Sequence, residues 1–254
     1  MNIGIITGAS SGLGREFALR AKRHYKDLDE LWLIARRTER LENLRKKISI
    51  PIKVISLDLT KEEAFSELET KLKEAAPKVS LLVNAAGYGK IGKVGEVHIK
   101  DETGMIRLNC EALIGITNIV LPFIKEGGHI VNFASSAAFM PQPKFAIYSA
   151  TKSLILSYSR ALREELKPRQ ISVTAVCPGP VKTEFFDIAE SKEEIPLIKR
   201  LTMANAKDVI KLAIRDNLAG KAISVYGIVM KSFYVLAKVV PHRILITGYS
   251  YLNK

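Results

Sequence analysis

A chain of 254 residues with 47% hydrophobic and 26% charged side chains can bury a sizeable core in one domain, residues 1–254, which excludes a disordered chain and a small disulfide scaffold. Thirty-nine Lys and Arg against 26 Asp and Glu leave a formal charge of +13, a balance that suits an anionic ligand, an acidic membrane surface or nucleic acid. Cys110 and Cys177 stand far apart and read as reduced thiols of a cytoplasmic protein, while the scattered His24, His98, His129 and His242 form no ligand set, so no metal is expected.

Residues 3–7 are a short apolar run of strand type, ended by the stretch Gly8 to Gly14 before residues 15–26 resume with helical spacing at Phe17, Ala18, Ala21 and Tyr25. The glycine stretch interrupts the only early apolar segment, so a secretory signal is not expected. Strand and helix then alternate: residues 31–35, a helix over 39–48, residues 52–56, and a helix opened by a capping box of Thr60 with Glu63 and ending near Pro77. Further strands are predicted at 79–83, 129–133, 171–176 and 222–225, with helices near 102–124, 148–166 and 206–218. This alternation predicts an α/β fold, a single Rossmann-type doubly wound parallel sheet with helices on both faces. The most apolar run, residues 112–124, contains Asn118 and Pro122 and falls short of the roughly 20 residues that a spanning helix needs.

Ligands of open parallel sheets sit beyond the carboxyl ends of the strands. After the first strand, Gly8, Ser10, Ser11, Gly12, Leu13 and Gly14 form a turn of small residues that lets backbone approach a pyrophosphate at a helix amino terminus. No Lys-Ser or Lys-Thr follows the last glycine, so nucleotide hydrolysis through a P-loop is excluded. Gly8-Ala9-Ser10-Ser11-Gly12 also matches a hydrolase nucleophile elbow, but only one strand precedes Ser10, too little to supply the oxyanion hole. At the end of the second strand, where an NAD site offers an acid to the ribose, the chain has Arg36 and Arg37; the guanidinium of Arg36 favours a 2′-phosphate and hence NADP(H). The alternative is that both arginines are solvated charges at a helix start.

Thr7-Gly8-x-x-x-Gly12-x-Gly14, Asn84-Ala85-Ala86-Gly87, Asn109, Ser135, Tyr148-x-x-x-Lys152 and Pro178-Gly179 occur in an order and spacing that resembles the classical short-chain dehydrogenases/reductases over residues 1 to about 225. Tyr148 and Lys152 lie one helical turn apart, so an ammonium can sit near a phenol and lower its pKa, making Tyr148 an acid or base for a carbonyl or alcohol oxygen. Ser135, thirteen residues before Tyr148, would orient the same oxygen, with Ser136 its competitor. The resemblance implies that Asn109 supports a proton relay through Lys152, that Lys152 also binds the nicotinamide ribose, and that Asp58 contacts the adenine. It implies as well that Asn84 helps hold the central strands and the cofactor pocket, that Ala85 and Gly87 belong to that pocket, and that Pro178, Gly179, Val181 and Thr183 shape the nicotinamide site. Ala138 departs from the family, which often has Gly there.

The expected function is an NADP(H)-dependent oxidoreductase interconverting a small-molecule ketone or aldehyde and its alcohol; the competing reading is a non-catalytic NADPH-binding sensor or scaffold. Residues 184–205 form the expected variable segment over a substrate pocket, and Phe185, Phe186, Phe139, Met140 and Tyr88 either line an apolar cleft or pack in the core. The tail, residues 221–254, carries five basic residues beside apolar ones and no acid, which suits an acidic membrane surface, packing on the core or against a second subunit being the commoner explanation. A homodimer or homotetramer through the helices around 110–124 and 154–166 is implied by the resemblance. Basic residues spread over many helices without interleaved aromatics give no expectation of nucleic acid.

Overall fold

The computed structural model describes residues 1–185, 189 and 203–252. Strands β1 (Asn2–Thr7), β2 (Glu30–Ala35), β3 (Ile52–Ser56), β4 (Lys78–Asn84), β5 (Ile124–Phe133), β6 (Ser172–Val176) and β7 (Ile223–Ser224) form one sheet in the order β3-β2-β1-β4-β5-β6-β7, every pairing parallel. β1, β2 and β4 are almost wholly buried, as strands covered on both faces must be, which is why they read as unbroken apolar runs.

The helices are α1 (Gly12–His24), α2 (Thr38–Arg45), α3 (Glu62–Ala75), α4 (Ile99–Ile106), α5 (Ala112–Val120), α6 (Ala146–Glu165), α7 (Ala206–Leu218), α8 (Ile228–Val239) and α9 (His242–Leu252). One core layer packs Phe17 and Ala21 of α1 and Val209 and Ile210 of α7 on the sheet; the opposite layer packs Leu68 of α3, Ile116 of α5 and Leu162 of α6. The chain winds from β1 to β3 in one direction and from β4 to β7 in the other, so the switch lies between β1 and β4. Register brings the carboxyl ends together there: Thr7 is opposite Asn84, Asn84 opposite Asn132, and Phe133 opposite Val176.

Two expectations are corrected. α4, a π-helical turn (Arg107–Glu111), α5 and a 3₁₀ turn (Leu121–Phe123) run on as one helical stretch, Ile99–Phe123, which is longer than the predicted apolar run and meets the length and composition of a membrane span. It serves as a core helix, because Met105, Cys110, Leu113, Ile116 and Val120 are buried against the body of the protein. The Thr60–Glu63 capping box does not form: Thr60 turns back, its hydroxyl and amide donating to Asp58 Oδ1 at 2.8 and 3.1 Å, and α3 starts at Glu62. The tail beyond β7 folds into two helices, with α8 packed on Phe139 through Phe233 and Tyr234.

Candidate active site

A cleft of about 1140 Å³ opens at the carboxyl ends of the strands, over the switch point, large enough for a dinucleotide and a further small molecule. Gly8, Ser10, Ser11, Gly12, Leu13 and Gly14 line its floor. Gly8 has a φ of +66°, and a Cβ there would sit 2.7 Å from Ala85 O and Ala86 N. A Cβ on Gly14 would sit 2.5 Å from Gly8 O. Thr7, which the sequence analysis passed over as the end of a strand, clamps this region by accepting hydrogen bonds from the amides of Ala85 and Ala86 at 3.1 and 3.3 Å. The turn is thus pressed against the loop after β4, and the amino end of α1 faces the open cleft.

At the end of β2 both arginines line the cleft. Arg36 is exposed, and its charge reaches Asp58 and Tyr88. Burial raises the Asp58 carboxyl, but the Thr60 hydroxyl and amide, Arg36 and Lys61 together hold it below its ordinary value. Arg37, not singled out from the sequence, donates to Ser11 Oγ at 2.7 Å and to Ser10 Oγ at 3.2 Å, and pairs with Glu184 at 3.1 Å. Arg40 reaches the same Glu184 carboxylate at 2.7 Å. The signal for Arg37 was present: a second basic residue directly after the strand, one position nearer the serines of the turn.

α6 carries the reactive pair. Tyr148 and Lys152 are both buried, with the Lys152 Nζ 5.6 Å from the centroid of the Tyr148 ring. Phe145 stacks on that ring at 4.2 Å and Phe185 approaches it at 5.4 Å. The Lys152 ammonium donates to Phe133 O, at the end of β5, at 2.8 Å. Ser135 caps the 3₁₀ turn Ser136–Phe139 by accepting from Ala137 N at 3.1 Å, and its hydroxyl bears on the Tyr148 phenol. Ser136 donates its amide to Pro178 O at 2.8 Å, joining the loops after β5 and β6.

The electrostatics correct one expectation. Lys152 was expected to lower the pKa of Tyr148, yet burial pushes the phenol up to about 12, opposed only in part by the Ser135 hydroxyl. Burial likewise pulls Lys152 down from 10.5 to about 8, opposed by the neighbouring Cys110 and Cys177. Taking the charged form of each group out of water dominates both shifts. Tyr148 therefore holds its proton at neutral pH.

The Lys152 shift makes a stability prediction. A folded-state pKa below the unfolded one means that the folded protein binds fewer protons between pH 8 and 10.5, so stability rises with pH through that window. Relative to Lys152→Met, the wild type should gain roughly 3 kcal/mol over it. Urea unfolding of both proteins at the two ends of the window measures this, and a pH-independent difference would refute it.

Asn109 is fully buried in the π-helical turn and does not line the cleft. Its Oδ1 accepts from Tyr88 N at 3.0 Å, and its Nδ2 donates to Tyr88 O at 2.9 Å and Thr151 Oγ1 at 3.1 Å. It thereby holds the Gly87–Tyr88 backbone beside Lys152: a Cβ on Gly87 would lie 2.8 Å from Asn109 Oδ1 and 3.5 Å from Lys152 Nζ. Asn84 lies beneath the cleft and does not line it; it donates to Thr117 Oγ1 at 3.0 Å and Asn132 Oδ1 at 2.9 Å, so it ties the central strand β4 to α5 and β5. Ala85, Gly87, Asp58, Pro178, Gly179, Val181 and Thr183 all line the cleft as expected.

Of the predicted apolar wall, Tyr88, Met140 and Phe185 line the cleft, and Phe186 lies outside the described residues, as does most of the 184–205 segment. Phe139 does not line it: the ring turns into the core, with centroids 4.9 Å from Tyr234 and 5.9 Å from Phe233. In its place the tail contributes Met230 and Phe233 from α8 and Ile244, Leu245 and Tyr249 from α9. Met230 touches the loop after β6 so closely that a Cβ on Gly179 would lie 2.7 Å from it. Among the described residues no group of three or more His, Cys, Asp or Glu could hold a metal ion.

A parallel sheet wound from a switch point, a glycine turn at its first strand and a buried Tyr–Lys pair beside it define an oxidoreductase of the dinucleotide-binding kind. The family model of the short chain dehydrogenases matches residues 2–194. The chain is 34% identical to sulfoacetaldehyde reductase 2 of Chromohalobacter salexigens over 221 residues, 83% of this chain and 86% of that one. Among solved structures, a short-chain dehydrogenase of Sphingobium yanoikuyae in complex with NADPH superposes with a TM-score of 0.79 at 27% identity, covering 95% of this chain and 97% of the other. The bulky-bulky ketone specific alcohol dehydrogenase of Comamonas testosteroni superposes with a TM-score of 0.76 at 27% identity, covering 97% and 94%. The chain belongs to the short chain dehydrogenase family.

Proposed function

We propose that this oxidoreductase reduces a ketone or aldehyde to its alcohol with NADPH. The observation that carries the reading is the protonated, ring-sandwiched Tyr148 in a cleft continuous with a glycine turn and two arginines. The glycine turn fits a dinucleotide, since Gly8 and Gly14 keep open a floor that side chains would fill and α1 offers its amino end to a pyrophosphate. Gly8, Ser10, Ser11, Gly12, Leu13 and Gly14 would hold the phosphates, Asp58 the adenine, Ala85 and Gly87 the middle, and Pro178, Gly179, Val181 and Thr183 the nicotinamide. When bound, NADPH supplies the hydride.

The chain's own residues supply the rest. Tyr148 donates its proton to the carbonyl oxygen as negative charge develops there, and Ser135 orients that oxygen with a hydrogen bond. Lys152, held by Phe133 O, stabilises the phenolate as it forms and binds the ribose. Asn109 acts through others, fixing the backbone beside Lys152. Phe145, Phe185, Met140 and the tail helices exclude water and favour an apolar carbonyl.

Cofactor choice follows from Arg36 and Arg37, which stand directly after β2, where an acid would select NADH. Replacing both with Ala should weaken NADPH by roughly 10–100-fold, as loss of a charge-assisted contact does, and move NADH by less than about threefold. Fluorescence titration with each nucleotide is the test, and tighter NADH than NADPH binding by the wild type would overturn the assignment. A cytoplasmic homodimer or homotetramer, assembled through the α4–α5 and α6 faces where Ile106 and Leu154 are exposed, completes the proposal.

A further inference from the structure

α8 is amphipathic in an unusual sense, because both of its faces are apolar. Taking 100° per residue, Met230, Phe233 and Ala237 fall together and pack inward, onto the cleft and Phe139. The opposite side carries Ile228, Val229, Ser232, Val235, Leu236 and Val239, and these apolar side chains are open to solvent, with Ile228 84% and Val239 77% exposed. Lys231 and Lys238 run along one flank of this stripe, a full two turns apart, and Lys238 lies over the Tyr234 ring at 4.2 Å. Beyond Asp216 the chain has five Lys and Arg and no acid.

We infer that the outer face of α8 docks on an anionic lipid surface, with Ile228, Val235, Leu236 and Val239 in the headgroup boundary and Lys231 and Lys238 among the acidic headgroups. Apolar residues along a helix with ammonium groups on stems long enough to reach past them is the arrangement that lies in a membrane interface. Charge selects this occupant over a second copy of the chain. Two such faces brought together would set lysines against lysines, with no carboxylate after Asp216 to pair with them, whereas acidic headgroups supply the missing counter-charge.

Flotation of the full chain with vesicles of phosphatidylcholine alone, or with about one-third phosphatidylserine, tests the inference. Wild-type protein should float with the acidic vesicles at least tenfold more than with the neutral ones, and less at high salt, because surface attraction is screened. Lys231→Glu with Lys238→Glu should lower binding at least tenfold, and Val235→Ser with Val239→Ser comparably. These positions lie outside the cleft lining, so NADPH titration should be unchanged in both double variants, which shows that they are folded. Equal binding to the two vesicle types, no binding to either, or binding unaffected by both double variants would overturn the inference. So would sedimentation velocity showing that Val235→Ser with Val239→Ser dissociates an oligomer, since the face would then belong to a second copy.

Discussion

Tyr148→Phe should lower carbonyl reduction by about 10²–10⁴-fold, the range that a positioned general acid contributes, while NADPH affinity stays within about threefold. The substitution removes one oxygen. The ring remains stacked on Phe145 and packed by Phe185, and Lys152 keeps its hydrogen bond to Phe133 O, so the walls of the cleft are unchanged. The variant should lose no more than about 1.5 kcal/mol, the net worth of the hydrogen bond between the phenol and Ser135. Consumption of NADPH over a panel of apolar ketones and aldehydes, followed by absorbance, gives the rate; nucleotide fluorescence gives the affinity. Activity within tenfold of wild type would remove Tyr148 from the chemistry. A loss of affinity in parallel with the rate would assign the tyrosine to binding instead. The wild-type rate should hold steady as pH rises through neutrality, because burial keeps the phenol protonated.

Gly8→Ala is expected to have the largest structural effect of any single methyl added to the molecule's glycine turn. Alanine in the left-handed region costs about 1–2 kcal/mol, and overpacking against rigid neighbours about 1–3 kcal/mol more. The neighbours here are backbone atoms, Ala85 O and Ala86 N at 2.7 Å, and they are themselves pinned by Thr7. No side chain can rotate away. The loop after β4 must move, and with it the Gly8–Gly14 contact that sets the entry of α1. Urea unfolding should show a loss of about 2–5 kcal/mol, and NADPH affinity should fall at least tenfold. A midpoint unchanged within about 0.5 kcal/mol would mean that the turn is looser than its geometry says.

The sheet was legible because β1, β2 and β4 are buried on both sides and so leave unbroken apolar runs between glycines and helical spacing. Tyr148 and Lys152 were legible because a spacing of four on a helix is a statement about distance. What was lost lies where the outcome depends on competition between neighbours. The Thr60 hydroxyl could accept from a helix amide or donate to a carboxylate, and it took the Asp58 carboxylate over a helix cap. Phe139 could turn into the cleft or the core, and the rings of α8, far away in the chain, drew it inward. The motif marked Asn84 as a residue of the central strands and pocket, but its partners Thr117 and Asn132 are set by the register of β4 on β5, which no local pattern reports. The direction of the Tyr148 shift depended on how deeply three aromatic rings are packed together.

The lining of the cleft is drawn from two distant stretches of the chain. The glycine turn, Ser135, Tyr148 and Lys152 precede β7, whereas Met230, Phe233, Ile244, Leu245 and Tyr249 follow it. On the proposed function, a changed side chain in α8 or α9 would reshape the space offered to the carbonyl while the proton donor on α6 stays where it is.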